Sequence, residues 1–303
     1  MLKINIIKIA AKIELFSLCG VAPVRTFEQN REHYLQWINS GRAQMLPYMA
    51  EHTALRFDAT TLLQGAKSVV VCAVNYKSDR SLDQSDIADC KVASYALFRD
   101  YHKTIRRRLR SLLRTLQASY PNLKGRVCVD SAPILEKQYA VDAGLGWIGR
   151  QSLLVTPEHG TFILLGVLLL DMECDVYDSP LEGVGCAECR RCVDNCPAGA
   201  IQPTPSPLFN TIDSRRCISA LTVESCNPDS KPLHGWLFGC DECQSCCPYN
   251  RLTPKSEDSE FTPSYTPPTA QQWREMKEEE FTTKFAATPL KRAGLERIKD
   301  VVN

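Results

Sequence analysis

The sequence predicts an α+β protein in three parts: a layered α/β domain over residues 1–180, a cysteine-rich domain over 181–255, and a linker with a short helical tail over 256–303. Three observations predict this. Strand-like and helical segments alternate in the first part, cysteines concentrate in two runs in the second, and the Pro- and Ser-rich stretch "SEDSEFTPSYTPPT" marks a linker before the end.

In the first part, "KSVVVCAVNY" (Lys67 to Tyr76), "GRVCVD" (Gly125 to Asp130) and "TFILLGVLLL" are β-branched and apolar runs of the kind that form buried strands. Between the first two, "YHKTIRRRLRSLLRTLQASYP" sets Ile105, Leu109, Leu112, Leu113 and Leu116 on one helical stripe and ends before Pro121. These elements imply sheet and helix layers around one core. At 303 residues and 44% hydrophobic content the chain is large enough to bury one.

The 36 Lys and Arg residues nearly balance 35 acidic ones, so no global field draws the protein to nucleic acid or lipid. Any such binding must be local. The N-terminal "MLKINIIKIAAKIELFSLCG" alternates apolar residues with lysines at helical spacing and has no signal-peptide pattern. The run "FILLGVLLL" is far shorter than the ~20 residues of a membrane-spanning helix. A cytoplasmic location with no membrane partner is expected.

Fifteen cysteines in such a compartment point to metal ligation, since the thiols are kept reduced and an odd number cannot all pair. "CAECRRCVDNCP" places Cys186, Cys189, Cys192 and Cys196 in C-x2-C-x2-C-x3-C-P, the ferredoxin-type run. Zinc is the alternative, but a single ion usually takes two ligands from each of two knuckles. "CDECQSCCP" adds Cys240, Cys243 and Cys247, and "DSRRC" adds Cys217. The eight divide as Cys186, Cys189, Cys192 and Cys247 on one 4Fe-4S cluster and Cys196, Cys217, Cys240 and Cys243 on the other, the crossed pattern of two-cluster ferredoxins. Cys246, Cys19, Cys72, Cys90, Cys128, Cys174 and Cys226 are left as small apolar residues. Two clusters make a path for single electrons, which needs a reaction at its end.

"GLGWIG" (Gly144 to Gly149) has G-x-G-x-x-G spacing, but a helical segment precedes it and a strand-like one follows, the reverse of a dinucleotide site. It reads instead as a glycine-rich turn whose bare backbone approaches a large flat ligand. Asp130 closes a strand and opens "DSAPILEK", where its plain role is a helix cap.

"DSAPILEKQYAVDAGLGWIGRQSLLVTPEHGTFILLGVLLLD", the first cysteine run, "DSRRCISALTVE" and "FGCDECQSCCPYN" together strongly resemble the epoxyqueuosine reductase family, over about residues 6–250. The resemblance implies cobalamin beside two 4Fe-4S clusters and reduction of epoxyqueuosine to queuosine at the wobble nucleotide of tRNA. It puts the proton donor on Asp130. It puts cobalamin contacts on Arg56, Ser94, Asp130, Arg150, Gln151, Ser152, Leu154, Ser219, Asp241 and Glu242. By position alone, Arg56 reads as a surface arginine and Ser94 and Ser219 as turn hydroxyls. The D-x-H-x-x-G motif that supplies histidine to cobalt is absent.

Two residues depart from the family pattern. Phe98 in "YALFRDYH" stands where glycine is usual, which predicts an altered backbone near the cofactor or substrate, and Ala59 replaces a common proline. The family's longer members also carry helical repeats beyond this chain's last residue.

The expected partners are an anticodon stem-loop carrying epoxyqueuosine and an external low-potential electron donor, with the protein a monomer. Arg106, Arg107, Arg108, Arg110 and Arg114, Arg190 and Arg191, Arg215 and Arg216, and Lys291 and Arg292 are the cations available to meet RNA around one cleft. The rival readings are a reductive dehalogenase-like reductase of a small molecule and a plain ferredoxin-type electron carrier.

Overall fold

The computed structural model describes residues 1–84, 90–203, 210–224 and 232–302; Cys226 lies outside them. Four strands, β1 (Leu18–Pro23), β2 (Ser68–Asn75), β3 (Gly125–Cys128) and β4 (Ile163–Leu170), form one sheet in the order β1-β2-β4-β3, antiparallel at every pairing. The three apolar runs expected as buried strands are β2, β3 and β4. Every residue of β2 is buried because both faces of the sheet are covered.

On one face lie α1 (Ile4–Ile13) and α2 (Tyr101–Ser119), packed with Val70, Cys72 and Val74. On the other, α3 (Glu136–Asp142) brings Tyr139 and Ala140 against Val69, Val71, Val167 and Leu169. The two-residue alternation of β2 feeds both cores at once. On α2 four residues of the expected stripe, Ile105, Leu109, Leu112 and Leu116, are fully covered, and Leu113 is half-buried. Replacing any of the fully covered leucines by alanine would cost about 2–5 kcal/mol. Gly166 of β4 permits the close seat of α2, since a Cβ there would stand 2.5 Å from Ile105 and 2.8 Å from Leu109.

Phe98, expected to disturb the backbone of the site, belongs instead to the core. It is buried against Tyr76 and Phe261, with ring centroids 5.9 and 5.4 Å away. Arg108 is buried rather than facing solvent. Its guanidinium donates to the Leu15 carbonyl at 3.0 Å and pairs with Asp258 at 2.6 Å and Glu260 at 2.8 Å.

Those two acids lie in the stretch expected to be a linker. They clamp it, with buried Phe261, against the first domain as a strap. Beyond it, helices Ala270–Glu275, Glu278–Phe285 and Leu295–Val302 bury Trp273, Phe281, Phe285 and Ile298 against Leu97, Leu237 and Phe238. The helical tail thus forms a third core. A short parallel pairing of Trp236–Phe238 with Lys91–Val92 ties the cysteine-rich part to the first. Among the described residues no helix is long and apolar enough to cross a membrane.

Candidate active site

The two cysteine runs fold alike. Each carries a short helix, Arg191–Asp194 after Cys189 and Glu242–Ser245 after Cys240, and the two helices touch. The thiols of the two runs lie close enough to act on one another electrostatically. Burial raises Cys192 to about 12, with Cys246, Cys186, Cys247 and Cys189 adding to it. Burial also raises Cys247, which is next to Cys186 and Cys189. Cys217 neighbours Cys196, and Cys243 neighbours Cys240 and Cys217 and also Cys192 of the first run, so the two groups adjoin. Cys246 lies with the first group, half-exposed where Cys247 is buried.

Backbone N–H groups converge on these sulfurs: Ala200 on Cys196 at 3.2 Å, Ser219 and Ala220 on Cys217, Glu242 on Cys240, and Tyr249 and Asn250 on Cys247. Donors aimed at sulfur stabilise thiolate and tune cluster potential. Among the described residues no three donor side chains converge as the ligands of a single ion would.

Next to the second set opens a cavity of about 1590 Å³. Small-molecule sites are usually about 300–1,000 Å³, so this one has room for a large cofactor together with a nucleotide. Cys217 and Ser219 line it together with Asp130, His102 and Glu136. The tail contributes the stretch around Thr288, Lys291 and Arg292, and the Asp100 N–H donates to the Ala287 carbonyl at 2.8 Å.

Asp130 does not cap a helix. Helix α3 starts only at Glu136, and Asp130 stands two residues past β3 in the left-handed region, at φ 54°. Two contacts hold it there. Its N–H donates to Glu136 Oε1 at 2.9 Å, and its Oδ2 accepts from His102 Nε2 at 2.9 Å. His102 Nδ1 donates to Asp100 Oδ1 at 2.6 Å, and Asp100 is itself the N-cap of α2, accepting the His102 N–H at 3.0 Å.

With a carboxylate at each ring nitrogen, His102 is held as imidazolium. Burial alone would lower its pKa, but the bonds to Asp100 and Asp130 prevail and raise it to about 9. The His102 hydrogen bond conversely lowers Asp100. Burial raises Glu136 to about 8, with the nearby Asp130 charge adding to it. The Asp130 side chain is 59% exposed. The groups whose proton affinity is raised are His102 and Glu136.

The other expected cofactor residues divide by location. Arg56, Asp130 and Ser219 line the cavity. Arg56 Nη2 donates to the Tyr48 carbonyl at 3.1 Å while its buried Nε has no partner. Ser94 lies behind the wall, where its N–H and hydroxyl both donate to Asp241 Oδ2 at 2.7 Å; burial raises Asp241 to about 6. Glu242 accepts from Trp236 Nε1 at 3.1 Å and pairs with Lys91 at 3.3 Å. Arg150 braces the first cysteine loop, donating to the Cys189 and Ala187 carbonyls at 3.0 and 2.7 Å.

Gln151 is buried with Nε2 unpartnered, the Ser152 carbonyl accepts from Lys137 Nζ at 2.5 Å, and Leu154 is core. None of Arg150, Gln151, Ser152 and Leu154 lines the cavity. Ile148 and Leu153 of the same hairpin do. The glycines of the turn pack closely on the chain itself: a Cβ on Gly146 would meet the Val155 carbonyl oxygen at 2.0 Å, and one on Gly144 the Ser179 oxygen at 2.6 Å.

Of the expected cations only Lys291 and Arg292 line the cavity; Arg42, Arg56, Lys103 and Lys137 join them. Arg292 pairs with Glu224, Arg215 with Asp213 and Arg107 with Glu260. The α2 arginines lie away from the cavity.

Residues 56–131 match the family model described as "Epoxyqueuosine reductase QueG, DUF1730", and residues 185–250 match the "4Fe-4S double cluster binding domain". The epoxyqueuosine reductase of Cyclobacterium marinum is 39% identical over 293 residues, 95% of this chain and 92% of the relative. That of Escherichia coli is 40% identical over 234 residues, 75% and 60% of the two chains.

Among solved structures, epoxyqueuosine reductase from Streptococcus thermophilus matches with a TM-score of 0.84 at 24% identity, over 98% of this chain and 78% of the other. One in complex with an epoxyqueuosine-modified tRNA-Tyr stem loop matches at 0.85 and 23%, over 98% and 79%. A reductive dehalogenase studied for B12-dependent dehalogenation matches at 0.51 and 15%, over 98% of this chain but 36% of the other. The solved structures agree with the layered fold, and the sequence relatives share most of its length: the chain belongs to the epoxyqueuosine reductase family.

Proposed function

We propose that this protein reduces epoxyqueuosine to queuosine in a tRNA anticodon loop, with cobalamin in the cavity and two 4Fe-4S clusters in the thiolate sets. The observation that carries the reading is that one cavity is lined both by Cys217 of the cysteine-rich part and by the hydrogen-bonded chain Asp100–His102–Asp130. Loss of the epoxide oxygen requires two electrons and two protons and yields an alkene and water. Both supplies meet in this space.

Cobalamin, when bound, supplies a strongly reducing cobalt that delivers the electrons. The chain fits it through the size of the cavity, the unpartnered Arg56 Nε on its wall and the Ser219 hydroxyl beside Cys217. Ser94, Asp241, Glu242 and the Arg150–Leu154 segment support the walls and the cysteine loops.

The protons come from this chain. His102 is imidazolium at neutral pH and donates to Asp130 Oδ2, while the exposed carboxyl of Asp130 reaches the cavity. A proton passed from His102 through Asp130 keeps the oxygen neutral as its first carbon bond breaks; solvent then reprotonates His102 through the open cavity, and the same route delivers the second proton as the other carbon bond breaks and the oxygen leaves as water. Glu136 holds the loop through the Asp130 N–H. Arg42, Lys103, Lys137, Lys291 and Arg292 around the cavity meet the phosphates of the stem-loop.

The test is incubation of cobalamin-reconstituted, reduced protein with a stem-loop carrying epoxyqueuosine, followed by nucleoside mass analysis. Queuosine should appear. Intact epoxide alongside reductive loss of halide from a small organohalide would overturn the assignment.

A further inference from the structure

We propose that Cys19 and Cys72 are a reversible oxidation site: facing thiols on adjacent strands that a small disulfide such as oxidised glutathione converts to a cross-strand disulfide. The pair lies outside the two cysteine runs and stands independently of the cofactors.

The two residues are opposite one another where β1 runs antiparallel to β2. Hydrogen bonds at the strand ends fix which kind of opposition this is. The Tyr76 N–H donates to the Phe162 carbonyl at 2.9 Å, one step beyond the pairing of Asn75 with Ile163. Counting back by twos, Cys72 turns its backbone groups to β4 and away from β1. At the far end the Val24 N–H donates to the Lys67 carbonyl at 2.9 Å, and the same count from there leaves Cys19 and Cys72 as a non-hydrogen-bonded pair. Such pairs hold their Cα atoms about 4.5 Å apart with the side chains close. That lies within the range of about 4.4–6.8 Å that a disulfide spans.

The side chains do meet. Both point into the core that α1 covers, and the two thiols hydrogen-bond to each other. Elsewhere, Cys128 lies on the opposite face of the sheet, Cys90 in the tail core and Cys174 beside Ser68. Cys19 is half-buried and Cys72 fully buried, which sets the order of reaction. The Cys19 thiolate attacks one sulfur of the oxidant, and one glutathione leaves as thiol. The Cys72 thiol then gives up its proton and attacks the Cys19 sulfur, releasing the second glutathione. Two electrons and two protons pass from the pair to the oxidant.

The bond closes a loop over residues 20–71, the stretch that carries Trp37, Arg42, Tyr48 and Arg56 to the cavity. Closing so long a loop removes freedom from the unfolded chain. Oxidation therefore makes unfolding of this part of the site harder.

In the experiment, iron-loaded protein is equilibrated without oxygen against mixtures of oxidised and reduced glutathione. It is then alkylated with N-ethylmaleimide in denaturant and digested with trypsin. Cys19 and Cys72 fall in separate tryptic peptides, Ile13–Arg25 and Ser68–Lys77, each with one cysteine. The two should appear joined as the mixture becomes oxidising and separate again with dithiothreitol. The urea midpoint of wild type should rise on joining, and Cys19→Ser should lose both the joined peptide and that rise. Glutathione resting on Cys19 while Cys72 is alkylated, both peptides alkylated at every mixture, or joining mainly to a cysteine of the two runs overturns the site. Joined peptides with an unchanged midpoint overturn its effect on the cavity.

Discussion

Replacing His102 by glutamine removes the one cation that Asp100 and Asp130 share. The pKa of His102 is raised from 6.5 to about 9. At 1.36 kcal/mol per unit this corresponds to about 3 kcal/mol favouring the charged, folded form. The Asp130 carboxylate is 59% exposed, and water screens that half of the interaction, so a loss of roughly 1–2 kcal/mol is expected. Because the folded pKa lies above the unfolded one, the contribution is complete below about pH 6.5 and vanishes as pH rises through about 9. Urea denaturation should therefore find His102→Gln less stable than wild type at pH 6 and equal to it near pH 10. Turnover of the modified stem-loop should fall by roughly ten- to a hundredfold, as for loss of a proton donor. The alkaline limb of wild-type activity should be absent in the variant. Equal stability at pH 6 together with an unmoved alkaline limb would refute both the ion bridge and the proton route.

Anaerobically prepared protein should hold about eight irons, and Cys247→Ala should damage the cluster of Cys186, Cys189 and Cys192; stoichiometric zinc without labile sulfide would contradict both. Asp130→Asn should retain its clusters and cobalamin yet lose roughly a hundredfold in turnover, and near wild-type turnover in a folded variant would remove Asp130 from the chemistry. Binding of the modified stem-loop should weaken steeply with salt because each neutralised phosphate releases counterions, and a flat salt response would count against the cations lining the cavity.

Much of this architecture could be read along the chain, because its signals are local. Strands β2 and β4 are unbroken apolar runs, α2 is a helical stripe, and the two cysteine runs keep a spacing that their short helices reproduce. Strand β1 gave no such signal, since "LCGVAP" includes a glycine and a proline and gains its place only by pairing along β2. The site was legible in part. Asp130 was found, but its cap reading failed because the chain turns left-handed at that residue and starts α3 later. His102 and Asp100 lay in plain view in "FRDYH", yet their link to Asp130 spans 28 positions and exists only once α2 and the end of β3 are placed side by side. The one usable signal was an N-cap aspartate followed two residues later by histidine at a helix start.

The tail shows why composition misleads about what a segment does. Proline, serine and acidic residues read as a solvated linker, but Asp258 and Glu260 find a buried cation in Arg108, and Phe261 is covered beside them. A guanidinium left in the core without partners would be strongly destabilising, so the strap and α2 depend on one another for stability. The same strap leads into the helices that carry Thr288, Lys291 and Arg292 to the cavity wall. A stretch that reads as a spacer thus couples the packing of the first domain to the lining of the site: Arg107 and Arg108 of α2 hold the strap, and the strap leads on to Lys291 and Arg292 at the cavity.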